Sequence, residues 1–279
     1  METISLKEEI EYRGFNTDQK IIIPTKNLIE IESTLDHIRL NKNPNKKETL
    51  RQAIKSSKDF YKRHFKLEKV PYIFEKNGSE YIKMIKPFKL PVIQNPNMDE
   101  NQISFSGRLM EAILPDEIGN NVVYTKIELS NELSELSKIA YTHEIGHSQL
   151  NHIKGLIKEY YNSEVLSIFL ELLHSMEERI LDVHDSIRLK NLQDAIYVLG
   201  KTNDEDTLIE ASLYTVSTLK AYELFYYYYF GSHRLKKEIL GEIQRVFYQE
   251  NTVEELLGNF DITYESSQNP KRIKKYLNR

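Results

Sequence analysis

The chain reads as an α+β fold, mostly α-helical, with a small antiparallel-rich sheet packed on a helical half. Three observations predict it. Beyond Ser130 glycine and proline are scarce and apolar residues recur at helical spacing, with breaks near Gly200–Asp204, at Gly231 and around Gly258–Asn269. Ahead of Ser130 lie short runs rich in β-branched and aromatic residues, the composition of strands. Asn77-Gly78 falls between two of these runs, in VPYIFEKNGSEYIKMI, and is a strong hairpin signal.

Taken in order, Leu28, Ile31, Leu35 and Ile38 mark one face of a helix over residues 26–41. A second helix is expected from Lys47 to Phe65, followed by the hairpin. Further strands are expected at Gln102–Ser106 and Asn121–Leu129, the latter containing VVYTKIEL. Residues 1–120 therefore form a mixed helix and strand region and residues 121–279 a helical region, the two expected to make one compact unit. The basic end, PKRIKKYLNR, reads as a solvated tail.

Composition narrows the function classes. A formal net charge of −4 over 279 residues gives no global pull toward nucleic acid or anionic lipid, so neither is an expected partner. The chain has no cysteine, which excludes disulfides and thiolate ligands; any metal must be held by His, Asp or Glu. The amino terminus lacks the apolar core of a signal peptide, and no run approaches the roughly 20 apolar residues of a membrane helix. A soluble, cytoplasmic protein is expected.

The most informative stretch is SNELSELSKIAYTHEIGHSQLNHIKG, expected to be a helix capped by Ser130 or Asn131, with Glu132 at the positive end of its dipole. Leu133, Leu136, Ala140, His143, His147 and Leu150 share one stripe. Four-residue spacing stacks the imidazoles of His143 and His147 one turn apart, so both can bind one tetrahedral zinc ion. Glu144 stands beside the first ligand, where a general base for a zinc-activated water is needed. A third ligand must come from elsewhere. His152 is five residues beyond His147, on a different face. In SEVLSIFLELLHSMEERILDVHD, the residues Glu171, His174, Ser175, Glu178 and Asp182 form a polar stripe that also fits an ordinary solvent face.

These two segments resemble the catalytic core of the oligoendopeptidase F and thimet oligopeptidase family of zinc peptidases, gluzincins of which this would be a short member. The resemblance spans about residues 120–235. The family pairs a His-Glu-x-Gly-His helix with a second helix that carries a glutamate ligand. It follows that ligand with a serine and, seven positions on, another glutamate. Glu171 lies 24 residues beyond His147 and Glu178 lies 7 beyond Glu171, while Ser175 falls one position late. The resemblance thus implies Glu171 as the third ligand and Glu178 as its support, with Glu164 the alternative ligand in a different helix register. It also implies a tyrosine hydroxyl that stabilises the oxyanion; in YELFYYYYFGSH, Tyr226 and Tyr228 match best. The histidine that the family has upstream of them is missing, none occurring between residues 211 and 225, and Tyr222, Phe225, Tyr226 and Tyr229 also fit a core aromatic stripe.

The expected activity is zinc-dependent hydrolysis of peptide bonds in oligopeptides or in an extended segment of a protein. VVYTKIEL is expected to pair with the substrate backbone as an added strand. Two other classes fit the same residues: a specialised protease toxin or effector that cuts one protein, and a helical interaction protein whose metal site is structural or lost.

Overall fold

The computed structural model describes residues 49–95, 107–115, 120–130, 133–150, 160–199 and 204–263. The expected helix over 26–41, the strand at Gln102–Ser106, His152 and the basic end lie outside them.

Helix α1 (Leu50–His64) opens on a reciprocal cap, in which Thr49 Oγ1 accepts from the Gln52 amide and the Gln52 side chain accepts from the Thr49 amide. Strands β1 (Val70–Lys76) and β2 (Ser79–Ile85) pair antiparallel around the expected turn. Its two central residues, Asn77 and Gly78, both have positive φ (54° and 76°), as the tight hairpin turn that matches strand twist requires. Three more strands follow: β3 (Val92–Asn95), β4 (Gly107–Pro115) and β5 (Asn120–Ser130). β5 is the central strand. It pairs antiparallel with β4 along one side, and parallel with β1 and then β3 along the other. The expectation that VVYTKIEL offers an edge to substrate is therefore corrected, because those residues sit in β5 and both its sides are taken. Among the described strands, β2, β3 and β4 each pair with one neighbour.

Ser130 is the last residue of β5, paired with Asn95, and not a helix cap. The motif helix, α2, starts later and runs Ser137–Leu150, with every residue buried. It packs against α1, the sheet and α3 (Tyr160–Glu177). The segment expected to form a single helix through Asp185 breaks after Glu177, where Arg179 takes a left-handed conformation (φ 59°). The amides of Ile180 and Arg179 bond back to the carbonyls of Ser175 and Met176, closing the helix end without a glycine. Helix α4 (Leu181–Leu199) then returns alongside α3. It is followed by α5 (Glu205–Phe230), α6 (His233–Phe247) and α7 (Val253–Asn259). One apolar cluster runs from Phe60 and Val70 through Ile127, Phe169 and Phe225 to Leu257, so residues of the sheet and of the helices share a core. No helix among the described residues is long and apolar enough to cross a membrane.

Helices α2 and α3 touch closely at Gly146. A Cβ there would stand 3.0 Å from Ser167 Oγ and 3.2 Å from Leu170 Cδ1. Gly146→Val is therefore expected to destabilise the protein by about 1–3 kcal/mol through overpacking. A lower urea midpoint would confirm it, and an unchanged midpoint would show that the crossing has slack.

Candidate metal centre

α2 and α3 together place three donors in one pocket of the core. The Nε2 atoms of His143 and His147 face each other at 2.7 Å. Glu164, near the start of α3, brings its carboxylate oxygens to 3.4 Å from His143 Nε2 and 3.7 Å from His147 Nε2. These three residues form the cluster able to hold a metal ion, all donor atoms lying within 4.8 Å of one another. Donors bound tetrahedrally at 2.0–2.1 Å stand roughly 3.3 Å apart, so the spacing suits a small ion. Two imidazoles and one carboxylate are donors that suit several divalent ions.

This group contains Glu164 and not the expected Glu171. Glu171 lies seven residues, or two turns, past Glu164 on the same face of α3, and it meets the other side of the His143 ring. Its Oε1 is 2.8 Å from His143 Nδ1, at ion-pair distance and not in line for a hydrogen bond. On the second histidine the matching position belongs to Ser163, whose Oγ is 3.0 Å from His147 Nδ1. One helix thus supplies the third donor, a hydrogen-bond partner for the outer nitrogen of His147 and a carboxylate against the outer nitrogen of His143.

Glu178 and the aromatic helix also differ from expectation. Glu178 lies past the end of α3, where it accepts from Ser56 Oγ at 2.8 Å and from Lys138 Nζ at 2.6 Å. It stands 3.7 Å from His174 Nε2, and His174 Nδ1 in turn is 2.7 Å from Thr142 Oγ1. Glu178 therefore belongs to a polar junction of α1, α2 and α3, and does not support a donor histidine. Tyr226 and Tyr228 lie in an aromatic cluster near the end of α5. The Tyr226 ring packs on Tyr227 and Phe230, and Tyr228 packs on Phe169 and Phe225 beneath Lys236. Burial pushes the Tyr228 hydroxyl up, helped by Glu177 at the far end of α3. Thirteen residues of helix separate Glu177 from Glu164, about 20 Å. Tyr222 donates to Asp185 at 2.9 Å, the position of a core residue with a satisfied hydroxyl.

The signal for Glu164 was in the family pattern itself. Counted from Glu164, a serine follows at Ser167 and the second glutamate at Glu171, with no residue displaced. The offset from the histidines pointed instead to Glu171.

Electrostatics reinforce the geometry. Burial pushes the Glu144 carboxyl above the ordinary range, only partly opposed by His143 and His147. For His143 burial works against protonation, but Glu164 and Glu171 outweigh it and raise its pKa well above 6.5. Burial would likewise raise Glu164, yet His143 and His147 hold it well below the ordinary range. Glu171 is held low against its own burial by Arg188 and His143. Comparison of the chain with protein-family models, with curated proteins and with solved structures finds no match.

These shifts set a pH profile for the metal-free protein. Raised above 6.5, His143 adds stability that is complete below about pH 6.5 and is lost as pH rises through its folded value. Glu144, raised from 4.5, subtracts stability in the same direction as pH climbs through its own folded value. Glu164 and Glu171, lowered from 4.5, add stability that is complete above about pH 4.5 and is lost as pH falls through their folded values. Urea midpoints measured across pH should fall at both ends. His143→Asn should flatten the alkaline limb while keeping an acid limb through Glu171 and Arg188. An alkaline limb undiminished in His143→Asn would assign it to other groups.

Proposed function

We propose that the protein is a zinc metallopeptidase, and that His143, His147 and Glu164 hold the metal with Glu144 as general base. The observation that carries the reading is the convergence of two imidazole Nε2 atoms and one carboxylate beside a second, buried carboxylate. The Glu164–Ser167–Glu171 register adds to it, since it is the pattern of the oligoendopeptidase F and thimet oligopeptidase family, to which we propose the chain is related.

Zinc in that set would polarise the scissile carbonyl and bring the pKa of a water toward 7. The protein supplies the rest. Glu144 accepts the proton of the attacking water and returns it to the leaving amine, and its upward shift moves it toward the operating pH that proton transfer requires. Glu171 and Ser163 stand against the outer nitrogens of the histidines, leaving both Nε2 atoms for the metal. β4, an outer strand packed on α2, offers its backbone to an extended peptide, which makes binding largely independent of substrate side chains. The substrate class that follows is an oligopeptide or an extended protein segment. A chain without cysteine suits a reducing compartment, and we place the activity in the cytoplasm.

Metal analysis of the purified chain and digestion of a peptide library test the reading together. About one zinc per chain is expected, with Glu164→Ala losing the metal and Glu178→Ala keeping it. Glu144→Gln should retain metal and fold but lose turnover by about 10²–10⁴-fold, because only proton transfer is removed. Bound zinc with no cleaved peptide would favour a structural site, and cleavage confined to one protein would mark a specialised protease. Full zinc content in the His143→Ala/His147→Ala double variant would overturn the assignment of α2.

A further inference from the structure

Glu171 is completely buried, and a buried carboxylate is tolerated only when its oxygens are satisfied. Arg188 of α4 meets it with two nitrogens: Nε donates to Oε2 at 2.8 Å and Nη2 donates to Oε1. His184, one turn earlier on α4, brings Nε2 to 3.2 Å from Oε2. The remaining guanidinium nitrogen, Nη1, donates to the Tyr214 hydroxyl of α5 at 3.1 Å. All three nitrogens of Arg188 are therefore committed, between α3 on one side and α5 on the other.

The same oxygen that receives Nη2 faces His143 Nδ1. A glutamate side chain is free to rotate about its last bond, and His184 touches one oxygen alone. An arginine fork that engages both oxygens fixes the plane of the carboxylate as well as its position. That plane decides where Oε1 stands against the imidazole, and so which way the ring turns its Nε2.

We propose that Arg188 is a positioning residue for the metal centre: its fork, backed by Tyr214 and His184, locks Glu171 against His143 so that Nε2 faces His147 and Glu164. The inference rests on the metal part of the reading above and does not involve the substrate.

The test is zinc titration of the full metal-free chain against a competing chelator, with Co²⁺ in place of zinc to report geometry by its visible absorption. Arg188→Lys keeps the charge but loses the fork. Glu171→Gln/Arg188→Met removes both buried charges together, which protects the fold where Arg188→Met alone would strand a carboxylate. Both variants are expected to melt cooperatively, bind zinc about 10–100-fold more weakly and shift the Co²⁺ spectrum. A purely structural role would lower the melting temperature and leave the affinity and spectrum of the folded protein unchanged. Either variant binding zinc within about twofold of wild type, with the wild-type Co²⁺ spectrum, overturns the proposal. Wild-type protein that takes up neither ion overturns the metal reading and this inference with it, a result read before any variant is made.

Discussion

The centre depends on how closely α2 and α3 approach at Gly146. The glycine lies between the two histidines of α2, and Ser167 lies between the two glutamates of α3. With only 3.0 Å between a notional Cβ and Ser167 Oγ, the helices are as near as side chains permit. A wider crossing would carry Glu164 out of reach of the Nε2 atoms and Glu171 away from Nδ1 in the same movement. The site is therefore a property of one helix contact more than of any single residue, and the junction of Ser56, Ser57, Thr142 and His174 ties α1 to that contact.

So many ionisable groups in a core would be ruinous unless each had a partner, since an isolated buried charge costs several kcal/mol even after relaxation. Here the charges alternate. Glu164 and Glu171 flank His143 on its two sides, and Arg188 closes the row beyond Glu171. Glu144 stands apart from this chain of pairs. Its carboxylate is pushed toward the neutral form by burial, unlike Glu164 and Glu171, which their cationic neighbours keep ionised.

Much of this was legible beforehand. The mostly helical α+β class, the hairpin at Asn77-Gly78 and the helix ends near Leu199, Gly231 and Asn259 followed from local chemistry, because turn and cap residues act over a few positions. The juxtaposition of His143 and His147 was legible for the same reason: a four-residue helical spacing is rigid. That Glu164, and not Glu171, groups with both histidines was not legible from the offset, because the distance in sequence from His147 is set by a connection, and connection length changes little in energy as it varies. The spacing within α3, from Glu164 to Ser167 to Glu171, is the physically constrained quantity. The placing of the tyrosines was not legible for a related reason. A 26-residue helix spans about 39 Å, so Tyr226 and Tyr228 lie far along α5 from Tyr214, which does reach the network around Glu171. The break at Arg179 could not be read from composition, since a left-handed residue there carries no glycine to announce it.

The complete burial of α2 has a consequence for how an ion would exchange. Many small metal sites are assembled by their ion, which supplies folding free energy. Here the helix bearing both histidines is already enclosed by α1, the sheet and α3, and the outer nitrogens already have neighbours on α3. For the metal reading proposed above, an ion would have to reach donors enclosed by three packed elements. Exchange of that ion would then be gated by local opening of the packing around α2, at a pace set by the protein and not by the ion.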